Sequence, residues 1–354
     1  MAQGSPGACP MYRQKAPRAL PLALMASKPL AVDTPTWHAA LASAPRVDST
    51  RLKVLTWNVW FDEFCIEARL DALVATVLGR GVDVVCFQEV LPEFAAALRA
   101  SSLIKATFDV SANDVKPYGC MMLVRRALGA KIREVPFEET NMGRSLLIAE
   151  LHPSRAEETW KAGLVGTVHL ESLNSAKMRR WQLAACAREL SRHRNAILCG
   201  DFNFDDTQEW GDWRRKCQRP ASELENRVLS EVLPSFADQW PILRPSERGA
   251  TFDGGSNPVC VHDRGEVMRY DRVMLHKGNA ASSWVDWIAA KLPGTAATDP
   301  FSQWAGRAIE MLGTEDIGGG CDGLKPSDHY GLEFVCSSQL ENASTASVAA
   351  ALGH

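Results

Sequence analysis

The chain has 354 residues, with 39 Lys plus Arg, 42 Asp plus Glu and a formal net charge of −3. Hydrophobic residues make up 46% and charged residues 23%, which excludes a low-complexity, collagen-like or wholly disordered chain. The apolar runs are too short to predict a membrane-spanning helix. The near-neutral balance argues against coating of nucleic acid by bulk charge, although it allows a local basic groove.

The N-terminal segment differs in composition from the rest of the chain. The first 32 residues contain no Asp or Glu, but they include Arg13, Lys15, Arg18 and Lys28. This composition resembles an organelle transit peptide, and a disordered leader explains it equally well. We therefore expect residues 1–50 to be a leader, residues 51–337 a single catalytic domain and residues 338–354 a flexible tail.

The ten cysteines follow no metal-binding or disulfide pattern, since no two of them have C-x-x-C spacing. Several lie inside apolar runs, where a free cysteine serves as a small core residue. This usage indicates a reducing compartment. The predicted location is intracellular, either the nucleus or the cytoplasm, and the acid-free N-terminus leaves a mitochondrion or plastid open.

The predicted elements alternate between strands and single helices. RLKVLTWNVW predicts a strand that ends near Asn58, EARLDALVATVLGRG a helix, VDVVCFQEV a buried strand and PEFAAALRA a second helix. CMMLVRR, SLLIAEL and GLVGTVHL predict further strands, followed by the helix SAKMRRWQLAACARELSRH and the strand NAILCG. SELENRVLSEVL predicts a helix, and MRYDRVML and HYGLEFVC predict the last strands. The pattern indicates an α+β domain in which helices flank two packed sheets.

Polar side chains follow the predicted strands at the points where the strands end. These residues are Asn58, Glu89, His169, Asp201, Asn203 and His329. Carboxylate and amide oxygens suit Mg²⁺ or Mn²⁺, and histidines suit donation to phosphate oxygens. Asp271, in RYDRV, is a candidate to hold one imidazole in its protonated form. Such a cluster is typical of metal-assisted phosphoester hydrolysis.

Six short motifs resemble the endonuclease/exonuclease/phosphatase superfamily, and they occur in that superfamily's order. They are TWN at 56–58, QE at 88–89, HLES at 169–172, GDFN at 200–203, YDR at 270–272 and SDH at 327–329. The resemblance covers about residues 51 to 337 and implies a four-layer αββα sandwich, with helices outside two packed mixed β-sheets.

Within that superfamily the chain is similar to the tyrosyl-DNA phosphodiesterases that act on 5′ ends. MGRSLL at 142–147, VHLES at 168–172, MRYDRVML and KPSDHYGLEFVC carry this similarity. It implies a Mg²⁺-dependent (or Mn²⁺-dependent) enzyme of DNA repair whose partner is nucleic acid, in particular a DNA 5′ end. The sequence identifies no protein partner.

The resemblance also assigns roles to individual residues. Glu89 is the expected principal metal ligand, Asn58 supports the metal shell, and Asp328 reaches the metal through water. Asp201 is the expected general base, Asn203 orients the water or the phosphate, and His329 and His169 donate to phosphate oxygens. Arg144 in MGRSLL and Ser172 in HLES are candidate substrate-binding residues.

Two residues depart from the subfamily pattern, and several functions remain open. Asp205 stands where the subfamily has a phosphate-binding Arg, so we expect it to repel phosphate; Tyr330 stands where the subfamily has Trp. An RNA deadenylase-like enzyme, an abasic endonuclease and a lipid or inositol phosphate hydrolase share the same core motifs. A catalytically inactive scaffold is disfavoured because Glu89, Asp201, Asn203 and His329 are all present.

Overall fold

The computed structural model describes residues 29–260, 265–278, 303–318 and 323–338. Residues 1–28 of the predicted leader and residues 339–354 of the predicted tail lie outside them. The helices are α1 (Pro35–Ser43), α2 (Ile66–Arg80), α3 (Pro92–Ala100), α4 (Ser102–Thr107), α5 (Ala176–Leu190), α6 (Asp212–Arg215), α7 (Val228–Val232) and α8 (Gln239–Leu243). The first strands are β1 (Leu52–Asn58), β2 (Val84–Val90), β3 (Phe108–Val110), β4 (Gly119–Arg125), β5 (Lys131–Pro136), β6 (Ser145–Leu151) and β7 (Gly163–His169). The remaining strands are β8 (Ala196–Asp201), β9 (Phe236–Asp238), β10 (Phe252–Asp253), β11 (Val267–Met268), β12 (Asp271–His276), β13 (Trp304–Leu312) and β14 (Gly331–Ser338).

Twelve of these strands form two six-stranded mixed sheets. The first sheet has the order β13-β14-β1-β2-β4-β3 and the second β5-β6-β7-β8-β12-β9. β1 and β2 are parallel and are connected through α2; β7 and β8 are parallel and are connected through α5. Each sheet therefore contains one βαβ unit, and antiparallel strands surround it.

The sheets are packed face to face because their strands bury side chains on both sides. In β1, Val54 lies in the core between the sheets, whereas Leu55 lies in the core that α2 covers. On the outer side of the second sheet, Leu183 of α5 packs in a third core with Leu198 of β8. Helix, sheet, sheet and helix thus form four layers, which confirms the predicted αββα sandwich.

The packed domain begins earlier in the chain than residue 51. Helix α1 starts after Thr34, whose hydroxyl oxygen accepts the Trp37 N–H, and Pro35 occupies its first position. Trp37 is fully buried in the core beside α2. The prediction that residues 1–50 are a leader therefore does not hold for α1, which packs on the domain through Trp37 together with Ala40 and Leu41.

Two other predicted elements differ in detail. SELENRVLSEVL forms short 3-10 turns at Ala221–Glu223 and Glu225–Arg227 and then the short helix α7. At the second turn the Glu225 carboxylate pairs with Arg179, and the Glu225 N–H donates to Glu209. MRYDRVML is divided into β11 and β12, and the Asp271 N–H at the break bonds to the Thr251 hydroxyl. Within the described ranges, no helix has the length and apolar character needed to cross a bilayer. The described cysteines are all free.

Candidate active site

The predicted polar residues meet at one rim of the sandwich. Asn58 ends β1, and His169 and Asp201 end the parallel strands β7 and β8, where they are register partners. Asp271 begins β12 directly opposite Asp201 in the antiparallel ladder. The carboxyl ends of the two βαβ units therefore bring both sheets to a common rim.

Glu89 is directed into this rim by an irregularity in β2. The pairing of β2 with β4 shifts between Phe87 and Val90, and Glu89 has a φ of 59°. Such bulges turn a side chain away from its regular direction. One Glu89 oxygen accepts the Phe61 N–H at 3.1 Å, and the other lies 3.8 Å from His169 Nε2.

The Asp201 carboxylate is buried and is held by neighbouring residues. Asn58 Nδ2 donates to Oδ2 at 3.0 Å, the Asn203 N–H donates to Oδ1 at 2.8 Å, and His169 Nε2 lies 3.5 Å from Oδ2. Burial raises the pKa of Asp201 to about 6, although the charge of His329 acts to lower it. Its neighbour Gly200 has a φ of 134°, and a Cβ there would lie 1.9 Å from the Val168 carbonyl oxygen. Only glycine fits this close approach.

His329 and Asp271 form a buried pair beside Asp201. His329 Nδ1 donates to Asp271 Oδ2 at 2.7 Å, and His329 Nε2 lies 4.0 Å from Asp201 Oδ2. Burial opposes a charged imidazole, but the Asp271 carboxylate outweighs it and raises the pKa of His329 well above its usual value. Trp57 Nε1 fixes the backbone by donating to the His329 carbonyl at 2.9 Å. His329 is thus held as a cationic donor.

His169 has the opposite electrostatic character. Burial, and then the charge of Arg144, lower its pKa well below the usual value, so the ring is neutral. Arg144 Nη2 lies 3.3 Å from His169 Nε2 and 3.3 Å from the Ser172 hydroxyl. Arg144 itself is buried. The structure therefore brings Arg144, His169 and Ser172 into one cluster.

The donor set fits a divalent cation. Burial raises the pKa of Asp328 to about 7, and the charge of Glu89 contributes to the rise. Burial likewise raises the pKa of Glu89. Carboxylates that repel each other in a buried rim are stabilised by a hard cation. Asn58 is less available as a ligand, because its oxygen accepts the Trp60 N–H at 3.0 Å.

A second group of ligand atoms lies close by. Among the described residues, Asp201, Asp271 and His329 have ligand atoms within 4.8 Å of one another. The short His329–Asp271 hydrogen bond already satisfies two members of this group. The Glu89–Asp328 side is therefore the better candidate for the metal.

Asp205 does not face the rim as a free anion, so the expectation that it repels phosphate is wrong. Its carboxylate is buried, pairs with Arg248 and accepts the Arg269 N–H at 2.7 Å. Arg248 also pairs with Asp206 at 2.7 Å. The arginine that neutralises Asp205 comes from a distant loop, which an alignment of short motifs does not reveal.

Three residues beside the rim were not predicted. Phe61 and Tyr118 have stacked rings with centroids 4.8 Å apart, and the Tyr118 hydroxyl lies 3.3 Å from Arg144 Nη2. Arg69 is buried and donates to the carbonyls of the loop after Asn58. The aromatic pair WF directly after TWNV was a usable signal for Phe61, whereas the partnership with Tyr118 depends on the fold.

A four-layer sandwich whose two sheets share a carboxylate and imidazole rim defines a class of hydrolase folds. The family model described as the Endonuclease/Exonuclease/phosphatase family matches residues 55–329. The chain belongs to this family, which confirms the resemblance seen in the motifs. No curated protein sequence matches the chain significantly.

Solved structures with the same fold include three relatives at low sequence identity. The D. rerio TDP2 complex with single-stranded DNA product has a TM-score of 0.61 at 20% identity, and the match covers 81% of this chain and 99% of that one. Truncated Caenorhabditis elegans TDP2 has a TM-score of 0.58 at 18% identity, covering 81% and 98%. The human Nocturnin catalytic domain with a bound sulfate anion has a TM-score of 0.56 at 13% identity, covering 83% and 95%. At such identities the likeness establishes the fold alone.

Proposed function

We propose that the protein is a Mg²⁺-dependent phosphodiesterase that hydrolyses 5′-phosphotyrosyl DNA ends, an activity that would serve DNA repair. The observation that carries this proposal is the rim itself. A buried carboxylate with a raised pKa, Asp201, lies 4.0 Å from the cationic His329, and both Asp201 and Glu89 lie within 3.8 Å of His169 Nε2. This arrangement suits in-line attack of water on a phosphodiester.

Asp201 orients the attacking water and accepts its proton. With a pKa of about 6, this carboxylate is a better base than an exposed aspartate. It is still largely ionised at neutral pH. Asn58 holds its position through the 3.0 Å hydrogen bond. Asn203 is oriented by donation to the Leu170 carbonyl at 3.0 Å, which places its amide beside the reacting groups.

His329 and Arg144 stabilise the phosphate as negative charge develops. Asp271 keeps His329 protonated, so the imidazolium donates to a nonbridging oxygen without first acquiring a proton. Arg144 contributes a fixed guanidinium beside the neutral His169 and the Ser172 hydroxyl. Glu89 and Asp328 would hold Mg²⁺ or Mn²⁺. When bound, the cation supplies further neutralisation of phosphate charge.

The leaving group explains the choice of a tyrosyl ester. A phenol has a pKa of about 10 and leaves far more easily than a sugar alkoxide, so little proton donation is required. Water adds to phosphorus, the bond from phosphorus to the phenolic oxygen breaks, and the 5′-phosphate remains on the DNA. The donors at the rim match this requirement, because the cationic His329 and the Arg144 guanidinium stabilise phosphate charge.

A groove beside Asn203 supports a nucleic-acid substrate. A cavity of about 690 Å³ extends from Asn203 to Trp210, Arg214 and Arg215. Its lining also includes four carboxylates, of which Asp205 and Glu225 pair with arginines. Trp210 is 36% exposed, and the Arg214 guanidinium lies 5.4 Å from its ring centroid. Exposed aromatic rings among cations bind single strands by base stacking and phosphate attraction. The D. rerio TDP2 structure, which has the same fold, contains single-stranded DNA product.

A substrate panel tests the proposal. The full chain is incubated with Mg²⁺ and 5′-tyrosyl single-stranded DNA, abasic duplex, oligo(A), inositol phosphates or sphingomyelin. We expect the tyrosyl oligonucleotide to be cleaved fastest and to give a free 5′-phosphate. Faster cleavage of any other substrate would replace the tyrosyl assignment and leave the family chemistry in place.

A further inference from the structure

We propose that Arg69 is a positioning residue for the metal site: it holds the loop after β1, residues 59–62, and this loop holds the Glu89 carboxylate. The inference rests on one part of the proposed function, the binding of a divalent cation at Glu89. Arg69 belongs to α2, and only 2% of its surface is exposed. A buried charge requires hydrogen bonds that replace its lost hydration, and those of Arg69 go to the backbone of this loop.

The Glu89 carboxylate depends on this loop for its position. Among the residues that the structure describes, the Phe61 N–H is the one hydrogen-bond donor to this carboxylate, at 3.1 Å from one oxygen. The other oxygen lies 3.8 Å from His169 Nε2, which is beyond hydrogen-bond distance. Glu89 also stands at the irregularity of β2 with a φ of 59°, so regular strand pairing does not fix its direction. A movement of the Phe61 N–H would therefore move the expected metal ligand.

The conformation of the loop requires support from its surroundings. Trp60 has a φ of 61°, a left-handed conformation that is unfavourable for a bulky side chain. Such a conformation persists only where neighbouring contacts hold it. The carboxamide oxygen of Asn58 supplies one of these contacts by accepting the Trp60 N–H at 3.0 Å. Relaxation of this φ would turn the N–H of the next residue, Phe61, away from Glu89.

Arg69 supplies the other contacts. Its Nη1 donates to the Asp62 carbonyl at 3.1 Å, and its Nη2 donates to the carbonyls of Trp60 at 2.8 Å and Val59 at 3.3 Å. The guanidinium carbon also lies 4.4 Å from the centroid of the Trp60 ring. Arg69 thus binds the backbone on both sides of Phe61 and stacks on the residue with the left-handed conformation.

The charge of Arg69 alone would act against a bound cation. Burial lowers the pKa of Arg69 to about 10, although the charges of Asp328 and Glu89 are among those that act to raise it, so the side chain is cationic at neutral pH. As a charge near these carboxylates, Arg69 would repel a divalent cation. As a positioning residue, it strengthens the binding of that cation. Removal of Arg69 therefore changes the metal affinity in opposite directions under the two roles.

The test measures Mn²⁺ binding to the full chain by electron paramagnetic resonance of the free ion, without turnover. Glu89→Gln identifies the site, because only binding that this variant loses is counted. Arg69→Met keeps an unbranched apolar side chain and removes every donor. Arg125→Met is the matched control: Arg125 donates to the Val82 carbonyl and lies 5.5 Å from the Phe108 ring centroid, but it stands at the end of β4 away from the rim.

We expect Arg69→Met to raise the Kd for Mn²⁺ by about 10- to 100-fold, the usual cost of losing a residue that orients a metal ligand. Arg125→Met should leave this Kd unchanged. An unchanged or lower Kd in Arg69→Met would overturn the inference. An equal rise in Arg125→Met would also overturn it, because the loss would then follow from general destabilisation.

Arg69→Lys keeps the inference testable if Arg69→Met does not fold. Lysine retains the charge but lacks the planar fork that spans several carbonyls. Its Kd for Mn²⁺ should therefore also rise, and a wild-type Kd in Arg69→Lys would overturn the inference.

The binding measurement also separates this inference from the proposed function. If Arg69→Met weakens Mn²⁺ binding but the wild type hydrolyses no tyrosyl DNA, the proposed function fails and the positioning role stands. If the wild type hydrolyses tyrosyl DNA and its Mn²⁺ affinity is insensitive to Arg69, the positioning role fails and the proposed function stands. Absence of Glu89-dependent Mn²⁺ binding in the wild type would overturn the positioning role whatever the activity.

Discussion

The Asp205 carboxylate is neutralised inside the protein by Arg248, a residue 43 positions further along the chain. Arg248 also pairs with Asp206, and the Asp206 carboxylate forms a second ion pair with Arg269 at 2.7 Å. The loop after Asp201 and Asn203 is thereby joined to the segment before β12. A charge that the motif alignment associates with substrate binding instead holds the catalytic loop in place.

Replacing Asp205 by Arg should therefore destabilise the protein and give no gain in substrate affinity. The variant would place two guanidinium groups together at a buried site, and a loss on the order of 3 kcal/mol is expected for breaking such a pair with one partner partly exposed. Chemical denaturation measures the change. Asp205→Asn keeps an acceptor for the Arg269 N–H, so it should lower the free energy of unfolding by less than Asp205→Arg does. If Asp205→Arg binds DNA more tightly and has normal stability, this position contacts the substrate phosphate directly and the structural role is wrong.

Asp205 should also contribute to acid sensitivity. Burial alone would raise its pKa, but the hydrogen bond and charge of Arg248 prevail and lower it below the usual value. A lowered folded-state pKa adds stability above the unfolded value of about 4, and this stability is lost as the pH falls through the folded value. The difference in unfolding free energy between wild type and Asp205→Asn should therefore narrow from about pH 6 to about pH 3. A constant difference over this range would contradict the ion pair.

Asp201→Asn should remove turnover without harming the fold. Asn58 Nδ2 and the Asn203 N–H donate to different oxygens of Asp201, so asparagine keeps only one of these hydrogen bonds, and it cannot accept a proton from water. Loss of a general base costs about 10²- to 10⁴-fold in kcat. Because burial disfavours the charge of Asp201, removing that charge offsets the lost hydrogen bond, and the variant should melt cooperatively at a similar temperature. A near-normal kcat would place the base elsewhere.

Chelation and Glu89→Gln should both abolish hydrolysis if a divalent cation binds at Glu89. EDTA should remove activity, and added Mg²⁺ or Mn²⁺ should restore it in the wild type. Glu89→Gln should need far higher metal concentrations, because a neutral amide is a poorer ligand for a hard cation. Glu93→Gln, which changes an exposed carboxylate at the start of α3, provides the matched control. Full activity in EDTA would exclude the metal role.

The groove beside Asn203 gives a prediction for binding. Trp210→Ala should weaken the binding of single-stranded DNA by about 1–3 kcal/mol, which is the contribution of one stacked base. Arg215→Glu should weaken DNA binding further and should make the affinity less dependent on salt concentration. Trp181→Ala is a suitable control, because Trp181 is 40% exposed and lies 4.7 Å from Lys177 Nζ, but it is outside this groove. Fluorescence anisotropy at several salt concentrations measures all three, and equal losses for Trp181→Ala and Trp210→Ala would contradict the groove.

Most of the candidate site could be predicted from the polar residues that follow predicted strands. Asn58, His169 and Asp201 follow apolar runs, and the parallel strands that carry them end at one rim. The sequence also predicted Asp271 as the partner of one imidazole, and the structure identifies that imidazole as His329. These predictions depend on local patterns, and local patterns are what a single sequence contains.

The remaining features depend on contacts between distant segments. Trp37 is an isolated indole in a short helix, and only the fold shows that it is buried against α2. Arg248 and Phe61 likewise make contacts with partners 43 and 57 positions away. The direction of Glu89 depends on a bulge, which arises from the register between two strands and has no signature in VDVVCFQEV.

The division of the rim between two sheets has a consequence for how activity is lost. Glu89 belongs to the sheet of β1, His329 lies just before β14 of that sheet, and Asp201 and Asp271 belong to the sheet of β8. Gln88 ties the sheets together between them, donating to the Thr56 and Thr167 hydroxyls at 3.1 and 3.0 Å. Neither half of the sandwich contains a base, a donor pair and a metal ligand of its own. Under the proposed function, turnover therefore depends on the docking of the two sheets, and a treatment that separates the layers should abolish turnover before the secondary structure melts.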